Sequence, residues 1–90
     1  MLELRLQSGT VVAFDGRVLE VFDGDGGSRR FHVSGLSGPR LAERPDGASI
    51  VLDEPPLQLP VTAAETPASA RLVAAIERAR AADGDPLGAP

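Results

Sequence analysis

Residues 57–82, LQLPVTAAETPASARLVAAIERARAA, contain the change of hydrophobic period that decides the fold. At the start of this stretch, Leu57, Leu59 and Val61 alternate with polar residues or proline, which is typical of a strand with one buried face. Pro60 cannot donate a ladder hydrogen bond, so we expect this strand at a sheet edge or at a bulge. The period then changes to 3.6, so the stretch predicts a strand followed by an amphipathic helix.

The helix is predicted over residues 67–82 from its capping residues and its apolar arc. Thr66 is suited to cap it and Pro67 to occupy its first position, where the missing N–H of proline costs nothing. Gly84 follows as a stop signal. The apolar arc consists of Ala68, Leu72, Ala75, Ile76 and Ala79. Residues 84–90 have nothing to pack, so we expect a flexible tail after one domain over residues 1–83.

The first two thirds of the chain follow period two, with short apolar segments between turn residues. Asp15-Gly16 is predicted as a hairpin turn, because this dipeptide readily takes the positive φ angles of a type I′ turn. Pro45-Asp46-Gly47 is a second turn signal, and Leu36 is the predicted core anchor of the loop 35–39. Six strands are predicted before the one at Leu57, near residues 2–6, 11–14, 18–22, 30–34, 40–44 and 49–53.

Seven short strands followed by one helix resemble the order of elements in the pleckstrin-homology (PH) fold. In detail, TVVAFDGRVLEVF, residues 10–22, and the closing run 57–82 are similar to the small bacterial PH-like domains, in which a strand, an FDG hairpin and a second strand recur. The resemblance implies a mainly β fold with one C-terminal α-helix: a partly open barrel of about seven antiparallel strands capped by the helix. Two sheets at a steep angle leave an open corner, which Leu72 and Ile76 are predicted to cover.

The composition argues against several classes of function. The chain has no cysteine, which rules out disulfides and thiolate metal ligands. Its formal net charge is -4 and every base is arginine, a balance that argues against binding to nucleic acid or to an anionic membrane. Trp and Tyr are also absent, which disfavours base-stacking surfaces. Because no apolar run of about 18 residues and no signal-like N-terminus is present, we expect a cytoplasmic protein.

The stretch VFDGDGGSRRFHV, residues 21–33, is the segment most suggestive of a chemical site. A calcium loop that opens at Asp23 would use Asp25, but Ser28 stands where glycine is required and Ser34 where a bidentate glutamate is required. As a phosphate loop, the stretch departs from GxGxxG and precedes a strand instead of a helix. We interpret it as a turn, and we expect no metal site.

Two arginines leave that turn, and alternation places Arg29 and Arg30 on opposite faces of the fourth strand. We expect solvated charges there, and contact with an anion or an acidic peptide is the second interpretation. In that interpretation, a ligand-binding rim would consist of Arg29, Arg30, Arg40 and Arg44.

The remaining candidates for chemistry are one histidine and one acidic cluster. His32 is predicted on the outer face of its strand, and the sequence supplies no second imidazole, nucleophile or orienting acid for it. Asp53 and Glu54, with Asp46 nearby, are predicted as a solvated turn, because carboxylates in water keep ordinary pKa values. We therefore expect no catalytic residues and no cofactor.

The preferred hypothesis is a noncatalytic PH-like binding or scaffolding module that contacts another protein or its own copy as a homo-oligomer. The edge that carries Pro60 and the surface at the helix end are the predicted docking lines. Some PH relatives bind phosphoinositides through basic residues in their first loop, but residues 7–10 contain no base, so membrane binding is not expected. The alternative hypothesis is a small-anion or acidic-ligand binder that uses the arginine rim, and an enzyme ranks last.

Overall fold

The structure, a computed structural model, describes residues 1–54 and 56–83, in which seven strands precede one long helix. The strands and the helix are β1 (Leu2–Arg5), β2 (Val11–Phe14), β3 (Val18–Phe22), β4 (Ser28–His32), β5 (Arg40–Arg44), β6 (Gly47–Leu52), β7 (Leu57–Thr62) and α1 (Thr66–Asp83). Short 3-10 turns at Val33–Gly35 and Ala63–Glu65 follow β4 and β7. The predicted tail, residues 84–90, lies outside the described residues.

The strands form two antiparallel sheets, and each sheet follows the order of the chain. The first sheet has the order β1-β2-β3-β4 and the second has the order β5-β6-β7. Within the described residues no ladder of paired strands joins the two sheets, so the strands do not close into a barrel. The prediction of a mainly β fold with one C-terminal helix is confirmed. Pro60 lies in β7 at the edge of the second sheet, as its missing N–H predicts.

The core lies between the two sheets and beneath the helix. Helix α1 contacts β1 of the first sheet and all three strands of the second. Leu72 and Ile76 are 2% and 1% exposed, so both are buried in the core, as predicted. Arg80 in the last turns donates a hydrogen bond of 2.7 Å from Nε to the carbonyl of Leu36, which is itself buried. The buried apolar residues are Leu4, Leu6, Val12, Phe14, Leu19, Val21, Val33, Leu36, Ala48, Ile50, Leu52, Leu57, Leu59, Val61, Leu72, Val73 and Ile76.

The start of the helix corrects one prediction. Thr66 is already helical, and the capping residue is Thr62, whose side-chain oxygen accepts from the backbone N–H of Glu65 at 3.3 Å. The Glu65 carboxylate in turn accepts from the backbone N–H of Thr62 at 2.9 Å. This reciprocal pair is a capping box, and it starts the 3-10 turn that leads directly into α1.

Three further boundaries differ from the predictions. In the first hairpin the two central residues are Gly16 and Arg17, because Asp15 pairs with Val18 and accepts from backbone N–H groups instead of turning. Strand β4 ends at His32, since the 3-10 turn begins at residue 33. Strand β6 begins at Gly47, which leaves only residues 45 and 46 as the turn before it.

Candidate functional site

The four predicted rim arginines lie on two different sheets. Arg29 and Arg30 belong to β4 of the first sheet, where pairing with Val21 and Glu20 puts them on opposite faces. Arg40 and Arg44 belong to β5 of the second sheet, four residues apart on one face and therefore about 13 Å from each other along the strand. The pair Arg29 and Arg30 therefore lies on a different sheet from the pair Arg40 and Arg44. Arg29 and Arg30 also lie on opposite faces of β4.

Each of these arginines also has its own carboxylate. Arg40 contacts Asp53 at 3.0 Å, and Arg30 contacts Glu20 at 3.5 Å. Looser pairs join Arg29 to Asp23 at 3.6 Å and Arg44 to Asp46 at 4.0 Å. The ligand-binding role of Arg29, Arg30, Arg40 and Arg44 stays a prediction, and an anion would compete with these carboxylates.

The loop between β3 and β4 is built as a turn. The backbone N–H of Asp23 donates to the carbonyl of Gly27 at 2.7 Å, and the N–H of Gly26 donates back to the carbonyl of Asp23 at 3.2 Å. Gly26 has a φ of 99°, the left-handed conformation that glycine tolerates. Among residues 1–54 and 56–83, no three His, Cys, Asp or Glu side chains are arranged to hold a metal ion.

His32 is exposed on the solvent side of the first sheet, and its ring makes hydrogen bonds within the chain. Its Nδ1 accepts from the backbone N–H of Ser34 at 3.1 Å and lies 2.9 Å from the Ser34 hydroxyl. These contacts cap the 3-10 turn that follows β4. His32 also lines an open groove of about 390 Å³ together with Arg17 and the last turns of α1. His32 and Ser34 are therefore adjacent, as in a catalytic pair, but both are exposed and their hydrogen bonds cap a turn.

A second groove, of about 210 Å³, lies beside the edge strand that carries Pro60. Glu65 joins its two walls, because its carboxylate accepts from the backbone N–H groups of Thr62 and of Gln7 at 2.9 and 2.7 Å. The N–H of Thr62 has the largest effect and lowers the pKa of Glu65; burial opposes it to a smaller extent, and the N–H of Gln7 adds a weaker lowering effect. Both oxygens are thus occupied by the chain, so this groove has little free polar chemistry beyond Arg44 and Asp46.

The outward side of the first sheet offers a broader surface, here named the outer face. Paired residues of neighbouring strands share a face, so the strand register defines its members. One row runs Arg5, Val11, Phe22 and Ser28 across the four strands. The next row runs Glu3, Ala13, Glu20 and Arg30, and Val18 pairs with His32 beyond it.

The centre of the outer face is apolar. Val11 and Phe22 are paired neighbours on β2 and β3, and Phe22 is 38% exposed. Ala13 and Val18 extend this apolar centre, and Met1 lies beside it with 92% exposure. Charged side chains of β1 and β4 surround it, with Glu3 bonded to Arg5 at 3.1 Å and Glu20 paired with Arg30.

The sequence carries a signal for this surface that the strand predictions did not use. An antiparallel strand with one solvated face alternates apolar and polar residues, whereas β2 reads VVAF without a polar residue. Val12 and Phe14 fill the core face of β2, so Val11 and Ala13 are the apolar residues that remain outside. A strand that is apolar on both faces is the signature of a sheet covered on both sides.

Comparisons of the chain with protein-family models, with curated proteins and with solved structures find no match. Among the described residues, no helix has both the length and the apolar character needed to cross a membrane. The outer face is the candidate functional surface because its centre is apolar and Phe22 is exposed there.

Proposed function

We propose that this chain is a noncatalytic binding module with a PH-like fold, and that its outer face docks a protein. The PH-like assignment is supported by the division of the strands into sheets of four and three, followed by a C-terminal helix. It is further supported by the contacts of α1 with both sheets, the position that a helix takes when it covers an open corner.

The observation that carries the docking function is the apolar centre of the outer face. Val11 and Phe22 stand side by side on the solvent side of the sheet, where an antiparallel strand ordinarily carries polar residues. Exposed apolar surface rimmed by charges is typical of protein interaction sites. The aromatic ring of Phe22 supplies the kind of side chain that dominates binding energy in such interfaces.

A noncatalytic role is supported by the way the chemically capable groups are used. The Nδ1 of His32 caps a turn, and Glu65 and Asp15 each accept from two backbone N–H groups. The same hydrogen bonds lower the pKa values of both carboxyl groups, which makes them weak bases. A general base working near neutral pH needs the opposite shift.

The test compares proteins captured from an extract of the source cells by immobilised wild type and by two variants. Phe22→Glu places a charge at the apolar centre, and Ala70→Glu places the same side chain at an exposed position on α1. Proteins held by wild type and Ala70→Glu but lost from Phe22→Glu would support the proposal. Equal capture by all three proteins would show that the outer face is not the docking surface. If the wild type captures no protein, its own copy included, the binding function is contradicted.

A further inference from the structure

We infer that the protein docked on the outer face is a second copy of this chain. The two copies are related by a two-fold axis that lies above the outer face, parallel to the strands and midway between β2 and β3. This inference rests on the proposed function and names its partner. A two-fold axis in that position stacks the two sheets face to face, as in a sandwich, with a separation of about 10 Å. It lays β1 over β4 of the second copy and β2 over β3.

The strand register then fixes which residues meet. Val11 lies over Phe22 of the second copy, and by symmetry Phe22 lies over Val11, so the apolar centres cover each other. Ala13 lies over Glu20 of the second copy, where its small side chain leaves room for the glutamate stem. The surface is therefore complementary to itself, as a two-fold interface requires.

The charges of the outer face match under the same rotation. Glu3 on β1 and Arg30 on β4 occupy the same row of the register, so each lies over its opposite in the second copy. The paired strand residues of the face include two acids, Glu3 and Glu20, and two arginines, Arg5 and Arg30, which balance although the whole chain carries a net charge of -4. Two acidic copies therefore meet through this face without an excess of like-charge contacts at the interface.

A strongly charged partner fits this face less well than a second copy does. Its charges would meet equal numbers of both signs, which are already paired within the chain through Glu3 with Arg5 and Glu20 with Arg30. The size of the face indicates a weak dimer. Four strands of about five residues cover about 300 Å² per copy, which is small for a protein interface. We therefore expect association that is weak and depends on protein concentration.

The test is a charge exchange across the axis, measured by sedimentation equilibrium from about 10 μM to about 1 mM, the range that a weak interface requires. Glu3→Arg alone and Arg30→Glu alone each replace two opposite-charge contacts by two like-charge contacts, and we expect each to weaken the dimer about tenfold. When the two variants are mixed, the arginine introduced in one copy meets the glutamate introduced in the other, and the native Arg30 meets the native Glu3. We therefore expect the mixture to associate as tightly as wild type.

Two further variants serve as controls. Arg78→Glu makes the same change of charge on the exposed side of α1 and should leave association unchanged. Phe22→Glu should abolish it, and melting curves of the variants should match that of the wild type. A wild type that stays monomeric at about 1 mM, where a small interface of this class would be populated, overturns the inference. A dimer insensitive to these substitutions, or a mixture that associates no better than either variant alone, also overturns it.

Failure of this inference is distinguishable from failure of the proposed function. If the wild type is monomeric but captures another protein that Phe22→Glu loses, the binding function stands and only the identity of the partner is wrong. If no protein is captured and no dimer forms, both are wrong.

Discussion

The carboxylate of Glu65 accepts a hydrogen bond of 2.7 Å from the backbone N–H of Gln7, a residue 58 positions earlier in the chain. Its other oxygen accepts from the N–H of Thr62, at the end of β7. One side chain thus joins the end of β1 in the first sheet to the end of the second sheet and the start of the helix. Because the two sheets share no ladder in the described ranges, we infer that Glu65 fixes their relative position at this corner.

Replacement of this side chain should therefore loosen the domain. Glu65→Ala removes half of the capping box and leaves the N–H groups of Thr62 and Gln7 without their partner. We expect a loss of about 1 to 2 kcal/mol in the free energy of unfolding, measured with urea. Glu77→Ala, at an exposed position of the same helix, is the matched control and should change little. Equal stability of the two variants would show that the corner does not depend on Glu65.

The hydrogen bonds that Glu65 accepts should also make the free energy of unfolding depend on pH under acidic conditions. The pKa of Glu65 is lowered in the folded chain from its ordinary value of 4.5, so the ionised form is the stabilising one. Its contribution is complete above that value and is lost as the pH falls through the lower folded pKa. Urea titrations at several pH values should show wild type and Glu65→Ala converging below pH 4.5. A difference between them that stays constant into strong acid would contradict an electrostatic role.

Gly47 at the start of β6 is expected to resist substitution for a steric reason. A Cβ atom there would meet the backbone of the neighbouring strand β7, at the carbonyl oxygen of Val61 and at the carbonyl carbon of Thr62, 3.1 Å away. Backbone cannot move aside as a flexible side chain does, so Gly47→Ala should cost about 2 to 4 kcal/mol. Gly35→Ala, where a Cβ meets nothing within 4 Å, should be nearly neutral in the same thermal melts. If both variants melt alike, the close approach of β7 to Gly47 does not restrict the side chain at this position.

Much of the fold follows from local signals in the sequence. Glycine, proline and aspartate separate the strands, and the change of period after Thr62 sets the place of the helix. The predicted helix cap lies four residues too late because Thr66-Pro67 is a strong start signal by itself. The competing signal, Thr62 followed three residues later by Glu65, is a capping box that acts one turn earlier.

The candidate surface is harder to predict, for a different reason. Alternation assigns one face of each strand to the core, but the outer face depends on which residues become neighbours across four strands. The pairing of Val11 with Phe22 becomes visible only when the hairpin centre is placed at Gly16 and Arg17. The absence of a polar residue in VVAF is the available clue. The contact of Glu65 with Gln7 has no local signal, because it depends on the relative position of two sheets.

The arginine rim makes a separate prediction about anions. Arg40 donates through Nη1 to Asp53 and to the carbonyl of Gly38, so an anion that binds its remaining N–H groups is repelled by the Asp53 carboxylate beside it. We expect inositol phosphate, followed by amide NMR shifts, to bind weakly and to perturb β4 and β5 independently. Asp53→Asn should strengthen any response at residue 40 and leave that at residue 30 unchanged. A single saturable site that shifts Arg29, Arg30, Arg40 and Arg44 together would instead establish the rim as a ligand-binding site.

The docked helix gives the most direct test of the fold. Leu72 of α1 is 2% exposed and belongs to the core cluster with Ile76 and Val73. Leu72→Ala should cost about 3 kcal/mol by the loss of buried methyl groups, and Leu72→Asp should unfold the domain because an unpaired charge would be buried. Arg71→Ala, the exposed neighbour, should stay within about 0.5 kcal/mol of wild type. Circular dichroism melts decide the matter, since a Leu72→Asp variant that melts like wild type would mean that α1 does not cover the core.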